Sequence, residues 1–155
     1  MSKLNVHASD PPWSTELPMV IERADEVEIS TASLVAMLLT ASASLAEEAV
    51  MQAIEWMDRS EELLRMTVVA SIKITPSEQK HGFIGDGLPV LPDELQDLVQ
   101  LPLRLRQAFV LRLLLAMPRD FSAGLLDLDL STLDQMTTLA ARILAQRSLR
   151  RTAVN

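Results

Sequence analysis

The stretch DLSTLDQMTTLAARIL, residues 129–144, sets Leu133, Met136, Ala140, Ile143 and Leu144 at i, i+3, i+7, i+10 and i+11. That spacing lays them on one face of a helix. Ser131 stands where an N-cap is expected, which places Asp134 at N3, favourable territory for an acid beside the helix dipole. The outward positions carry Asp134, Gln135 and Thr138, and the first cation is Arg142. The helix is expected to run from Ser131 to about Gln146.

Working outward, DLDL (127–130) is a turn rich in Asx-turn formers, and RDFSAGLL (119–126) is a short helix. Before Pro118, LPLRLRQAFVLRLLLAM (101–117) is apolar almost all round, as befits a central helix. Residues 100–155 are therefore expected to form a helix-turn-helix domain. Upstream, the segment from Thr75 holds three of the chain's four glycines and three prolines, so residues 75–99 are assigned to a linker.

Residues 1–74 are expected to form an N-terminal helical domain behind an arm that contains Pro11 and Pro12. PMVIERADEVEI (18–29) opens with a proline where a helix tolerates one, and Ser33–Thr40 suggests a second, apolar helix. In SLAEEAVMQAIEWMD (44–58), Ser44 and Glu47 stand at capping-box spacing, and Leu45, Ala49, Ile54 and Trp56 are expected to face a core. Asp58 and Glu61 offer a second capping box. It opens a helix through Ile74 whose inner face carries Leu63, Leu64, Thr67, Val68, Ser71 and Ile74. The fold class is all-α: two small helical domains, the C-terminal one a helix-turn-helix, joined by a Gly/Pro-containing linker.

Composition agrees. Of 155 residues, 48% are hydrophobic, with three Phe, two Trp and no Tyr, so the core must be aliphatic and suits packed helices. The absence of cysteine removes disulfides and thiolate metal sites and fits a reducing cytoplasm. MSKLNVHASDPPW lacks an apolar signal core. The longest uncharged run, ending at Ala46, is broken by serines and threonines and falls short of the roughly 20 mostly apolar residues of a membrane span. A cytoplasmic chain with no membrane contact is expected.

Net charge is −7, but residues 1–100 hold 6 cations against 17 acids while residues 101–155 hold 8 against 4. A basic second half points to an acidic partner only if its arginines share a face. No catalytic constellation is evident. His7 and His81 stand alone, without a second metal ligand at helical spacing. The glycine-rich GFIGDG (82–87) follows no strand and leads into no GK[ST], so it is no phosphate cradle. No enzyme activity, metal or cofactor is expected.

LPLRLRQAFVLR resembles the start of the C-terminal domain in extracytoplasmic-function sigma factors of bacterial RNA polymerase, through Leu101, Pro102, Arg106, Phe109, Leu111 and Arg112. The similarity continues in register through Ala123, Leu125, Leu126, Leu128, Thr132, Leu133 and Ala140. LAEEAVMQAIEWM and LLRMTVVASIKI resemble two stretches of the family's first domain. The resemblance covers about residues 33–74 and 98–146. It implies candidate DNA-binding residues Thr132, Gln135, Thr138, Arg142 and Arg112, and candidate polymerase-binding residues Glu47, Glu48 and Gln52.

The departures bear on function. Where the family's recognition helix carries Lys or Arg, this chain has Asp134, Met136 and Leu139. Residues 119–146 count 2 cations against 4 acids. Phosphate neutralisation supplies most non-specific DNA affinity, so such a unit starts at a disadvantage. From Arg59 to Ile74, where the family melts promoter DNA with aromatic and basic residues, there are three cations and no aromatic. The family's Gln-Glu pair is replaced by Met51-Gln52. The expectation is a sigma-like regulator acting through RNA polymerase core or an anti-sigma protein, with promoter binding weakened or lost and a homo-oligomer left open. A functioning DNA-binding sigma factor and an unrelated helical interaction module are the alternatives.

Overall fold

The computed structural model describes residues 17–57, 62–77 and 91–154, with residues 17–25 as backbone alone. They form seven helices and, among the described residues, no strand: α1 (Leu17–Thr40), α2 (Ala43–Trp56), α3 (Leu63–Ile74), α4 (Asp93–Val99), α5 (Leu103–Phe109), α6 (Arg119–Leu126) and α7 (Leu130–Ala153). The chain is all-α, as its composition requires. No described helix is long and apolar enough to cross a membrane.

α1 is one helix where the sequence suggests two. No Pro or Gly interrupts the stretch from Ile29 to Ser33, and its hydroxyls bond back along the helix instead of breaking it. Thr31 donates to Val27 O at 2.9 Å and Ser33 to Ile29 O at 2.7 Å. α1 ends at Ala41, whose φ of 52° turns the chain sharply and delivers Ser42 to the N-cap of α2. The cap is thus two residues earlier than the Ser44–Glu47 box suggests. The box at Asp58 and Glu61 lies outside the described residues.

Alanine dominates the contact among α1, α2 and α3: Ala32, Ala36, Ala46, Ala49, Ala53 and Ala70 are buried together with Val50 and Leu63. With side chains this small, helix axes approach closely and little volume is left empty. In α2 the buried set 46, 49, 50, 53 keeps strict helical spacing. Ile54 and Trp56 fall off that face and are exposed, against expectation. The Trp56 ring instead lies under the Lys73 ammonium, 5.3 Å from its centroid. In α3 the expected inner face is observed, with Leu63, Thr67, Val68 and Ser71 buried, and its β-branched residues are no obstacle to the helix.

α4 lies within the stretch assigned to the linker. Leu95, Leu98 and Val99 recur at helical spacing after Pro92, and Leu98 and Val99 are buried. α5 is shorter than the expected central helix and runs into a π-helical turn, Val110–Leu114. The wider turn shifts the register, so Val110 and Leu111 are buried while Leu113 and Leu114 emerge. α7 extends to Ala153, well past the expected end near Gln146.

One cluster of buried residues joins the early and late helices: Leu38, Leu39 and Val68 pack with Leu98, Leu101, Ala108, Leu111, Leu133 and Ala140. At its centre is Arg106, 2% exposed. Its guanidinium donates to Val99 O and Leu101 O at 3.1 Å and to Leu39 O at 3.3 Å. Leu39 and Val99 belong to the last turns of α1 and α4, whose carbonyls have no partner within their own helices. Burial lowers the Arg106 pKa to about 10, so it remains charged at neutral pH. Arg65, stacked 4.9 Å over the Phe121 ring, adds a contact between α3 and α6.

Arg106→Ala is expected to lower the unfolding free energy by about 2–4 kcal/mol through lost charge-assisted hydrogen bonds and packing. Arg106→Lys should recover only part of this, since an ammonium cannot span the same three carbonyls. Urea denaturation of the three proteins checks both statements.

Candidate functional site

α6 and α7 meet at a three-residue turn. Asp127 adopts a left-handed φ of 54°, which Asp tolerates better than most residues. Leu128 N–H donates to Ala123 O at 2.9 Å and Asp127 N–H to Gly124 O at 3.3 Å, closing the end of α6.

The N-cap of α7 is Asp129, not Ser131. Its carboxylate accepts the Thr132 hydroxyl at 2.6 Å and the Thr132 N–H at 2.8 Å. These two bonds, the hydroxyl first, hold the Asp129 carboxyl below the ordinary carboxylate range. Since α7 starts at Leu130, Asp134 lies beyond N3 and does not cap. It forms a bidentate pair with Arg119 at the start of α6, with Arg119 Nε donating to Oδ1 at 3.0 Å and Nη2 to Oδ2. Both side chains are about half exposed. That hydrogen bond raises the Arg119 pKa. A partner fifteen residues away leaves no local signal in the sequence.

The basic second half is largely tied up in this way. Arg104 donates to Leu126 O at 3.2 Å, Arg106 is buried, and Arg112 donates to Met117 O, bracing the turn after the π-helical segment. Arg147 donates to Asp97 O at 3.0 Å, and Arg151 pairs with Asp97 and, at 3.9 Å, with Asp93 of α4. Arg142 and Arg150 are the cations of residues 101–155 with no hydrogen bond or ion pair among the described residues.

Of the candidate DNA-binding residues, Gln135, Thr138 and Arg142 are exposed and share one shallow depression on α7 with Asp134 and Leu139. Thr132 is engaged by Asp129, and Arg112 lies in the π-helical segment, held by Met117. The inner stripe of α7 follows the sequence: Leu133 and Ala140 are buried, and Met136, Ile143 and Leu144 pack against the core.

The candidate polymerase-binding residues share α2. Glu47 and Glu48 are exposed, and Gln52, half-buried, donates to Glu48 Oε1 at 3.5 Å. Between them stand apolar residues that the sequence reading missed, Met51 at 58% exposure and Ile54 at 41%. Glu55 is exposed beside them, so the outer face of α2 is apolar with an acidic border. Because Met51 and Ile54 look like core residues in a hydropathy pattern, only the small size of the opposite, alanine-lined face could have hinted at their exposure. His7, His81 and the glycine-rich 82–87 lie outside the described residues.

Asp129→Ala should lower the melting temperature by a few degrees, whereas Asp134→Ala should leave it nearly unchanged. The pH dependence separates the charge from the cap. A depressed carboxyl pKa contributes stability above its unfolded value, near 3.8, that is lost as pH falls through the folded value. The stability difference between the natural protein and Asp129→Asn should therefore be constant from neutral pH to about 4 and shrink below it. Thermal melts across pH measure both effects.

Comparisons with family models, with curated proteins and with solved structures find no match to this chain.

Proposed function

We propose that this chain is a sigma-factor-like transcription regulator that works in the cytoplasm by protein contact, with RNA polymerase core or an anti-sigma protein, and whose promoter DNA binding is weakened or lost. Electrostatics carries it. In the depression on α7 that Gln135 and Thr138 share, Arg142 is the one cation among the lining residues, and Asp134 beside it holds Arg119 in a bidentate pair. A DNA-reading helix needs flanking cations on phosphates to hold its register before any side chain can read a base. The order of helices, with a short α6, a tight turn and a capped α7, fits the sigma-like resemblance without those cations.

α2 supports the protein-contact side. An exposed apolar pair, Met51 and Ile54, bordered by Glu47, Glu48 and Glu55, has the composition of a small recognition surface for a partner with basic groups around an apolar centre. Catalysis has no part in this proposal.

The test has two arms. The immobilised chain should retain purified polymerase core or a purified anti-sigma protein, and Glu48→Lys or Met51→Glu should weaken retention by at least about tenfold. In parallel, duplex promoter DNA should not shift at about 50 mM salt, and Asp134→Lys should leave binding flat. A salt-dependent shift lost on Arg142→Ala would instead identify a functioning DNA-binding sigma factor.

A further inference from the structure

The last turns of α7 line a depression that shares no residue with the one around Arg142. Arg147, Arg150, Arg151 and Val154 stand at i, i+3, i+4 and i+7, a spacing that puts them on one side of the helix. With Asp97 of α4 they border an open hollow of about 470 Å³. Three guanidiniums thus meet around one space.

Asp97 holds two of them in place. Its backbone carbonyl accepts Arg147 Nη1 at 3.0 Å, and its carboxylate accepts Arg151 Nη2. A guanidinium carries several N–H donors in a planar fork, so each of these arginines keeps further donors after that contact. Side chains already held in one position lose less freedom when an anion arrives. Arg150 is exposed and makes no hydrogen bond or ion pair among the described residues.

The charge of the hollow selects its ligand. Three guanidiniums against one carboxylate leave two positive charges on the lining. The dipole at the C-terminal end of α7 offsets about half a charge of this. Asp93, 3.9 Å from Arg151 and mostly exposed, adds a competing acid at the margin. A phosphomonoester carries about −1.5 to −2 near neutral pH and several strong acceptor oxygens, which match both the charge and the forked donors. A long polyanion is disfavoured by a chain of net charge −7. A peptide would find only Val154 as an apolar contact in the lining.

We infer that this depression binds the phosphomonoester group of a small phosphorylated molecule. Arg150 closes on the phosphate, and Arg147 and Arg151, positioned by Asp97, complete the cradle.

Calorimetric titration of the full chain with phenyl phosphate at low ionic strength tests the inference. The binding should saturate at one site per chain. Arg150→Ala, at an exposed position with no hydrogen bond to lose, should weaken it by at least about tenfold, and Arg150→Lys should keep part of the affinity. Asp93→Asn should tighten binding, because it removes a competing acid and leaves Asp97 in place. Affinity should also rise with pH through about 6, where the phosphate takes its second charge. Circular dichroism confirms that each variant is folded. No saturation at about 10 mM probe overturns the inference. So does binding that ignores Arg150→Ala, Asp93→Asn or the second ionisation of the phosphate. Duplex DNA held more tightly than phenyl phosphate, and released by Arg150→Ala, would overturn it and assign the depression to a phosphodiester backbone. A phosphoserine peptide held at least about tenfold more tightly than phenyl phosphate would likewise overturn it, in favour of a phosphorylated protein. None of these residues lies on α2, so failure here is distinct from failure to bind polymerase core or an anti-sigma protein.

Discussion

The buried guanidinium of Arg106 is the constraint on which the rest of the structure depends. The last turns of α1 and α4 converge on it, and each brings a carbonyl that its own helix cannot satisfy. Two helix C-termini carry about half a negative charge each, so together they offset roughly one cation without any carboxylate. Burial still costs free energy, as the lowered pKa of Arg106 and its unpaired Nε show. In return, Arg106 fixes α5 against both helix ends, and α5 is the surface against which Leu133 and Ala140 of α7 are buried. The orientation of the outermost helix is therefore set from the centre of the core.

The same economy of charge shapes the surface. A second half with twice as many cations as acids looks suited to a polyanion when counted along the chain. Folded, those arginines brace turns, bind helix-end carbonyls, or pair with Asp134, Asp97 and Asp93. α4 matters most here, because its acids come from the acidic first hundred residues and cover the arginines near the end of α7. The charge asymmetry is a means of joining two parts of the chain, and little of it is left to attract a partner.

Much of the helical content was legible because it rests on local periodicity. The inner stripe of α7 and the buried face of α3 were both readable, since i, i+3, i+4 patterns survive folding unchanged. Errors arose where a choice between neighbours depended on distant contacts. Ser131 and Asp129 are both good caps, and the turn at Asp127 decides between them. Ile54 and Trp56 are apolar enough for a core, but α1 and α3 present alanines to the other side of α2. Gln135, Thr138 and Arg142 were correctly read as one outward face, while the engagement of Thr132 by Asp129 and of Arg112 by Met117 was not visible in the spacing.

By itself the sequence determined the all-α class, the identity of most helices and the scarcity of cations on the outer face of α7, because propensity, periodicity and composition act locally. Tertiary structure decided the rest. It decided that Arg106 is a core residue, that Asp134 pairs with Arg119 instead of capping, and that α4 covers the end of α7. It also decided that Met51, Ile54, Leu114 and Leu149 reach the surface. Each of these depends on which groups a folded chain brings together across many residues, and on the rule that buried polar groups take partners wherever the packing supplies them.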